Sequence, residues 1–294
     1  MTEGVINILK PPGMTSSNVV SDVRRILSEK RVGHTGTLDP GAAGVLPICC
    51  GRATRLFDYL VDKKKEYIAE VTFGIATDTQ DAYGVITERA ADREISRADV
   101  EAVLPRFTGE IEQIAPMYSA LSVNGTRLYK LARSGIEIER AVRRITVYGL
   151  EILEQTGKNS FLLRVQCSKG VYVRTLCYDI GAALGYPAYM SFLLRTVAGE
   201  FTIDNAVTIP ELQAAAGNGR LNEVIVPVDS ALSFLPQITV NSARALHRIT
   251  NGIAIQTAAT EDSAYRVYSP EGFIGIGRLN EEGLLKLSVS FAQK

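Results

Sequence analysis

Gly33-His34-Thr35-Gly36-Thr37-Leu38-Asp39-Pro40 runs directly into Gly41-Ala42-Ala43-Gly44-Val45-Leu46-Pro47. Its glycines permit positive φ and close backbone approach, and Pro40 restricts the conformation of Asp39. The loop therefore fixes a single carboxylate in a tight turn. Such an aspartate can be a nucleophile, a general base, a metal ligand or the acceptor of an Asx turn. On spacing alone the turn is the commoner use, and the choice has to come from the flanks.

Upstream, Val5 to Leu9 is a short apolar strand stopped by Lys10-Pro11-Pro12-Gly13, and Ser16 or Ser17 can cap a helix carrying Val19, Val20, Val23, Ile26 and Leu27 on one face. The whole of Arg31 to Gly51 reads as one long loop rich in Gly, Thr and Pro. Downstream, Tyr67, Ala69, Val71 and Phe73 alternate with Ile68, Glu70 and Thr72, which is a strand. A helix is expected over Ser96 to Phe107 and a short one over Arg127 to Ser134. Strands are expected at Ile145 to Leu153, Ser160 to Cys167 and Val171 to Thr175, the last two joined by a hairpin turn at Ser168-Lys169-Gly170, before a helix from Thr175 to Leu184. That assignment puts Tyr172 and Arg174 on one face of a strand. Beyond Pro227 to Pro236 the pattern changes to short apolar runs, Ala264 to Tyr268, Phe273 to Leu279 and Leu284 to Val289, separated by glycine turns, as in a small β-barrel or sandwich.

The chain has 294 residues, 46% apolar and 22% charged, which suits an ordered α+β protein with a large domain and a compact β appendage. No apolar run approaches the length that spans a bilayer, and Met1-Thr2-Glu3-Gly4 does not open a signal peptide. Four cysteines without CxxC spacing and two histidines are poor material for zinc or a disulfide scaffold, so the expected setting is a reduced cytoplasm. The 32 basic and 32 acidic residues cancel, yet they are segregated: nine Lys/Arg against four Asp/Glu from Arg24 to Lys65, six against two from Val123 to Arg144, and four against nine from Asp78 to Glu112. Segregation of this kind can give one face a positive field, which admits nucleic acid as a partner; solvated helix faces are the plain alternative.

With these residues in view, the Asp39 loop closely resembles that of the TruB family of tRNA pseudouridine synthases, in which the aspartate of GHTGTLDP is the nucleophile. The resemblance extends to Asn7-Ile8-Leu9-Lys10-Pro11-Pro12-Gly13-Met14-Thr15-Ser16, Gly51-Arg52-Ala53-Thr54-Arg55, Lys65-Glu66-Tyr67, Thr77-Asp78-Thr79-Gln80-Asp81-Ala82, Pro116-Met117-Tyr118-Ser119-Ala120 and Cys167-Ser168-Lys169-Gly170-Val171-Tyr172-Val173-Arg174-Thr175, in the same order. It implies the pseudouridine-synthase fold, a central mixed sheet with flanking helices and a thumb-like insertion near 116–148 within a catalytic domain of 1–232, followed by a PUA-like RNA-binding barrel over 237–294. It also implies isomerisation of uridine to pseudouridine at position 55 in the T-loop of tRNA, by a monomeric cytoplasmic enzyme that needs no cofactor, no metal and no protein partner.

By the same resemblance Asp39, Tyr67 and Arg174 are catalytic: Tyr67 stacks on the target base and supplies a proton acceptor, and Arg174 pairs with Asp39. Tyr172, Asp81, Leu193 and Lys10 fall in the substrate pocket, and His34 fills the space of a flipped nucleotide. Arg127, Lys130 and Arg133 in the insertion contact the RNA backbone. The residues are chemically consistent with those roles. The isomerisation gains and loses no atom, and the sequence carries no P-loop, dinucleotide fingerprint or clustered metal ligands. An aromatic platform is worth about 1–3 kcal/mol per stacked base. One departure is Tyr189, which stands where many relatives carry histidine. The alternatives are a guide-RNA-dependent synthase of the H/ACA type, a non-catalytic RNA-binding or chaperone protein, and a metal-dependent nuclease.

Overall fold

A computed structural model describes residues 2–123, 125–260 and 263–292; Met1, Asn124, Glu261, Asp262, Gln293 and Lys294 lie outside the described residues. A ten-stranded mixed sheet forms the frame. Its main path runs Ile225–Val226, Gly4–Lys10, Ala43–Cys50, Ala188–Ala198, Lys65–Phe73, Ser160–Cys167, Val142–Gly157, Gly109–Ile114. Two short strands, Val32–His34 and Phe201–Thr202, add to it off this path. Every pairing is antiparallel except that of Ala43–Cys50 with Ala188–Ala198. Helices Ser16–Leu27, Arg97–Val103 and Val173–Ala183 cover one face. There the inward residues of Lys65–Phe73 (Tyr67, Ala69, Val71, Phe73) meet Val19, Val23, Leu176 and Ile180 in the larger core. On the other face Glu66 and Glu70 accept hydrogen bonds from Thr196, Gln166, Ser191 and Thr156, so the polar half of the alternation pairs with itself.

Three sequence expectations change. The stretch from Arg31 to Gly51 is not one loop: Val32–His34 and Ala43–Cys50 are strands, which shortens the irregular part to 35–42. Gly44 and Pro47 disguise the second strand. Pro47 has no N–H to donate, but its carbonyl still accepts from Thr35 N–H at 3.1 Å, one residue past the end of the Val32–His34 pairing. The segment Val171 to Thr175 is not a strand. Ser160–Cys167 pairs with Val142–Gly157 through a turn at 157–160, and after Ser168-Lys169-Gly170 the chain enters the helix Val173–Ala183 with Tyr172 as its N-cap. The β-branched alternation Val171, Val173, Thr175 mimics a strand, and burial of one helical side overrides it. Tyr172 and Arg174 are therefore neighbours at a helix start, not on a strand face. The third change is Ala188–Ala198, a central strand that the sequence reading passed over; the helix Val173–Ala183 packs on it.

The C-terminal segment is a four-stranded sheet, Gln237–Thr239, Ala264–Ser269, Gly272–Leu279 and Leu285–Ser290, with a helix Ala243–Thr250. It does not hang free. Ala264, Ile276, Val289 and Phe291 share a core with Val5, Val45 and Phe201 of the large sheet and with Leu56 and Leu60 of the helical turns at 51–61. No helix among the described residues is long and apolar enough to cross a membrane.

Candidate active site

The Asp39 loop leaves Val32–His34 and returns into Ala43–Cys50. Thr35 N–H and Ala42 N–H close its two ends on Pro47 and Asp39 carbonyls at 3.1 Å each. Ser16 at the start of the first helix holds Leu38 from both sides, accepting from its N–H at 2.9 Å and donating to its carbonyl at 3.1 Å. The carboxylate next in sequence is thereby aimed away from the helix, into a cleft of ≈ 240 Å³ over the end of Lys65–Phe73. Asp39, Tyr67, Tyr172, Arg174 and Leu193 all line this cleft, brought from a loop, two strands and a helix start.

Arg174 is 4% exposed and organises the floor. Its guanidinium stands 3.3 Å from Asp39 and 3.7 Å from Asp81, and donates to the Tyr118 carbonyl at 2.6 Å and the Thr79 carbonyl at 3.3 Å. A single buried cation thus ties the Asp39 loop, the 77–82 turn and the start of the insertion to one helix N-terminus. Burial pushes the Asp39 carboxyl above its ordinary range; Arg174 and Lys10 pull it back, while Asp81 pushes it further up. Tyr67 is 7% exposed, and burial raises its phenol.

Asp81 accepts from Thr79 Oγ1 at 2.6 Å and Tyr83 N–H at 2.9 Å, so it closes its own turn as well as facing Arg174. It lines an adjoining groove that shares Asp39, Met190 and Leu193 with the main cleft. Lys10 is fully buried. Its ammonium donates to the carbonyls of Pro11, Met14 and Pro40, beneath the loop and not in the cleft, and burial brings its pKa down to about 8. His34 lies outside the cleft as well, in a groove with Arg24 and Phe57; its Nδ1 is buried with no hydrogen-bond partner, and burial holds the ring below its usual pKa. Arg127, Lys130 and Arg133 are exposed on a small hairpin, Ser122–Val123 with Thr126–Arg127, and the helix Leu128–Arg133 that follows. Tyr189 is a half-buried residue of Ala188–Ala198. Among the described residues no group of three or more His, Cys, Asp or Glu could hold a metal ion.

Three residues at the site escaped the sequence reading as site residues. Arg195 is 1% exposed and lines the cleft, as does Lys65, whose pKa burial lowers to about 8. Gln113, 3% exposed on an edge strand, accepts from Tyr172 N–H at 2.9 Å and donates to the Tyr172 carbonyl at 3.1 Å. The one available signal was a lone arginine within the apolar Met190 to Val197 run, a charge at an inward position of an unassigned strand.

Comparison with known proteins identifies the family. Residues 24–173 match the N-terminal domain of the TruB family of pseudouridylate synthases, and residues 174–233 match the C-terminal domain of tRNA pseudouridylate synthase B. The chain is 48% identical over 263 residues to tRNA pseudouridine synthase B of Geobacillus thermodenitrificans, covering 87% of each chain. It is 50% identical over 254 residues to the protein of the same name from Symbiobacterium thermophilum, covering 86% of this chain and 83% of the relative. Among solved structures, an H/ACA RNP bound to a substrate RNA containing 2'-deoxyuridine superposes with a TM-score of 0.74 at 25% identity, over 99% of this chain and 85% of that one. A Cbf5–Nop10–Gar1 complex gives 0.71 at 27% identity, over 97% and 79%. Shared sequence over most of the length, together with the α+β pseudouridine-synthase fold, places this chain in the TruB family of pseudouridylate synthases.

Proposed function

We propose that the protein isomerises uridine to pseudouridine at position 55 in the T-loop of tRNA, with Asp39 as the nucleophile. The observation that carries this reading is the placement of the Asp39 carboxylate 3.3 Å from a buried arginine, in a cleft lined by two tyrosines and Leu193. A cleft of this size suits one extruded base, not a paired stem, so the target nucleotide must leave its stack to reach Asp39. Arg174 orients the carboxylate and favours its ionised form, Tyr67 and Tyr172 sandwich or flank the ring, and Leu193 closes the apolar side.

The chemistry ends in the same way whether Asp39 attacks C1′, attacks C6 or promotes elimination. The detached ring rotates and C5 bonds to C1′, displacing Asp39 where it had bonded C1′; an Asp39 bonded to C6 is expelled as the C5–C6 double bond re-forms, and C5 carries a proton that must leave. The Tyr67 phenolate takes it, the C–H electron pair forms the C5–C6 double bond, and N1, no longer glycosylated, takes up a proton. Asp81 helps Arg174 to hold its place, Lys10 supports the loop from below, and His34 fills the gap left by the flipped nucleotide. Arg127, Lys130 and Arg133, on the thumb-like insertion within 116–148, contact phosphates of the T-arm and position it without reading sequence. Residues 1–232 then form the catalytic domain and 237–294 a PUA-like domain that adds RNA contacts.

The test is pseudouridine mapping in a bare tRNA transcript. Wild-type protein should modify position 55 without guide RNA or partner protein, and Asp39→Asn should bind the transcript and leave it unmodified. A requirement for guide RNA would favour the H/ACA-type reading, which the structural neighbours recommend for comparison. Near-normal turnover by Asp39→Asn would remove the nucleophile assignment.

A further inference from the structure

Arg195 occupies a junction of three strands. On one side it is the cross-strand partner of Tyr67, on the other the parallel partner of Gly44, and a β-bulge follows between Arg195 and Val197. Directly opposed residues present their side chains to one face with Cβ atoms about 4.5–5.5 Å apart, and a bulge of this kind re-aims a side chain next to a site. The guanidinium donates to the Gly36 carbonyl at 3.1 Å and the Val45 carbonyl at 2.7 Å, one on each side of Asp39. Tyr67, its cross-strand partner, lines the same cleft, so the guanidinium and the phenol face one space. Close approach is built in: at Gly44, φ +117°, a Cβ would stand 2.2 Å from the Arg195 carbonyl oxygen. No carboxylate forms an ion pair with this buried cation among the described residues. An arginine buried without an anion is costly, and its cross-strand neighbour, the Tyr67 phenol, is a group able to become negative.

We propose that Arg195 is the positioning residue of this site, fastening the Asp39 loop on both sides and supplying the cation against which the Tyr67 phenolate forms. The inference rests on Tyr67 being the acceptor of the C5 proton. Three groups face Tyr67: Arg195 from one neighbouring strand, the Cys167 thiol from the other, and Asp39 from the loop. Of these only Arg195 eases loss of the phenol proton, by its charge; burial, Cys167 and Asp39 all oppose it. Lys10, His34 and Lys65 in turn face Arg195, so the alkaline behaviour of the lysines has to be separated from that of the phenol.

The experiment is the pH profile of the single-turnover rate on tRNA transcript for four proteins: wild type, Arg195→Gln, Tyr67→Phe, and Arg195→Gln combined with Tyr67→3,5-difluorotyrosine, a more acidic phenol. Each unit of phenol pKa is worth about tenfold in phenolate at a given pH below it. Arg195→Gln should therefore lower the neutral-pH rate by about 10- to 100-fold, move its alkaline rise to higher pH and leave tRNA affinity within about twofold. The fluorinated tyrosine should restore about tenfold or more of that loss, which retitration of Lys10 or Lys65 cannot do. A loss equal at every pH, with no rescue by the acidic phenol, overturns the inference and leaves Arg195 a loop anchor. Wild-type turnover by Tyr67→Phe would instead overturn the acceptor role of Tyr67, and this inference with it. Should Arg195→Gln not fold, Arg195→Lys keeps the charge without the two-pronged reach. It should keep the wild-type profile with a loss below about tenfold, and a loss as deep as that of Tyr67→Phe would overturn the proposal.

Discussion

Gln113→Leu removes one side chain of similar size and both hydrogen bonds that clamp Tyr172 at the head of the Val173–Ala183 helix. The two bonds are not equivalent. The Tyr172 carbonyl also accepts the first helical bond, from Leu176 N–H at 3.0 Å, and keeps that donor in the variant. The Tyr172 N–H, as an N-cap group, has no intrahelical acceptor and is left orphaned. An unsatisfied buried donor costs about 1–3 kcal/mol and a redundant bond at the low end of about 0.5–1.5 kcal/mol. Tyr172 is only half-buried, so water recovers part of this, and a total of roughly 1.5–3 kcal/mol is expected. Urea unfolding of wild type and variant measures it directly. Because Tyr172 lines the Asp39 cleft, the single-turnover rate should fall together with stability. Gln113→Glu sharpens the test, since it keeps the acceptor for Tyr172 N–H but points a carboxylate oxygen at the Tyr172 carbonyl. Its penalty should grow as pH rises above about 4, where the unfolded chain ionises that carboxyl freely. A loss under about 0.5 kcal/mol for Gln113→Leu, with the rate unchanged, would refute the clamp.

Burial alone lifts Asp179 to about 6, well above its ordinary 3.8. The native state then holds that proton more tightly than the unfolded chain, so stability falls as pH rises through 4 to 6. Asp179→Asn should stabilise by about 1–2 kcal/mol at pH 7.5, after discounting partial exposure, and by nothing below pH 4; thermal melts at both values decide it. Asp39 has the same sign, since burial raises it too. Asp39→Asn should flatten the decline of melting temperature above pH 4, and a steeper decline would contradict the placement of its carboxyl. Removing 237–294 should destabilise the remainder and not merely weaken RNA binding, because it strips Leu56, Leu60 and Phe201 of their cover. Phe291→Ala, in the shared core and 5.5 Å under the Arg52 guanidinium, should cost about 3 kcal/mol; a change below about 1 kcal/mol would mean that the two sheets are energetically independent.

The Asp39 loop was legible in the sequence because its information is local. Glycines that need special backbone room, a proline that stiffens the preceding position and a lone aspartate survive any change of context, and so do the strand alternation of Tyr67 to Phe73 and the glycine-spaced strands after Ala264. What only the tertiary structure decided is non-local. Val171 to Thr175 alternates like a strand, but docking against Ala188–Ala198 buries it as a helix start, which turns Tyr172 into a cap and Arg174 into a buried cation. Ala43–Cys50, interrupted by glycine and proline, becomes a strand because three neighbouring strands supply its hydrogen bonds and the surrounding packing buries both its faces. The C-terminal sheet reads as a separate unit, since its own alternation is complete, and is joined to the rest by a core that no local pattern announces. Arg195 is the clearest case. Its place is set by partners at Gly36, Val45 and Tyr67, all more than a hundred residues away, and pairing at that separation leaves no period in the sequence.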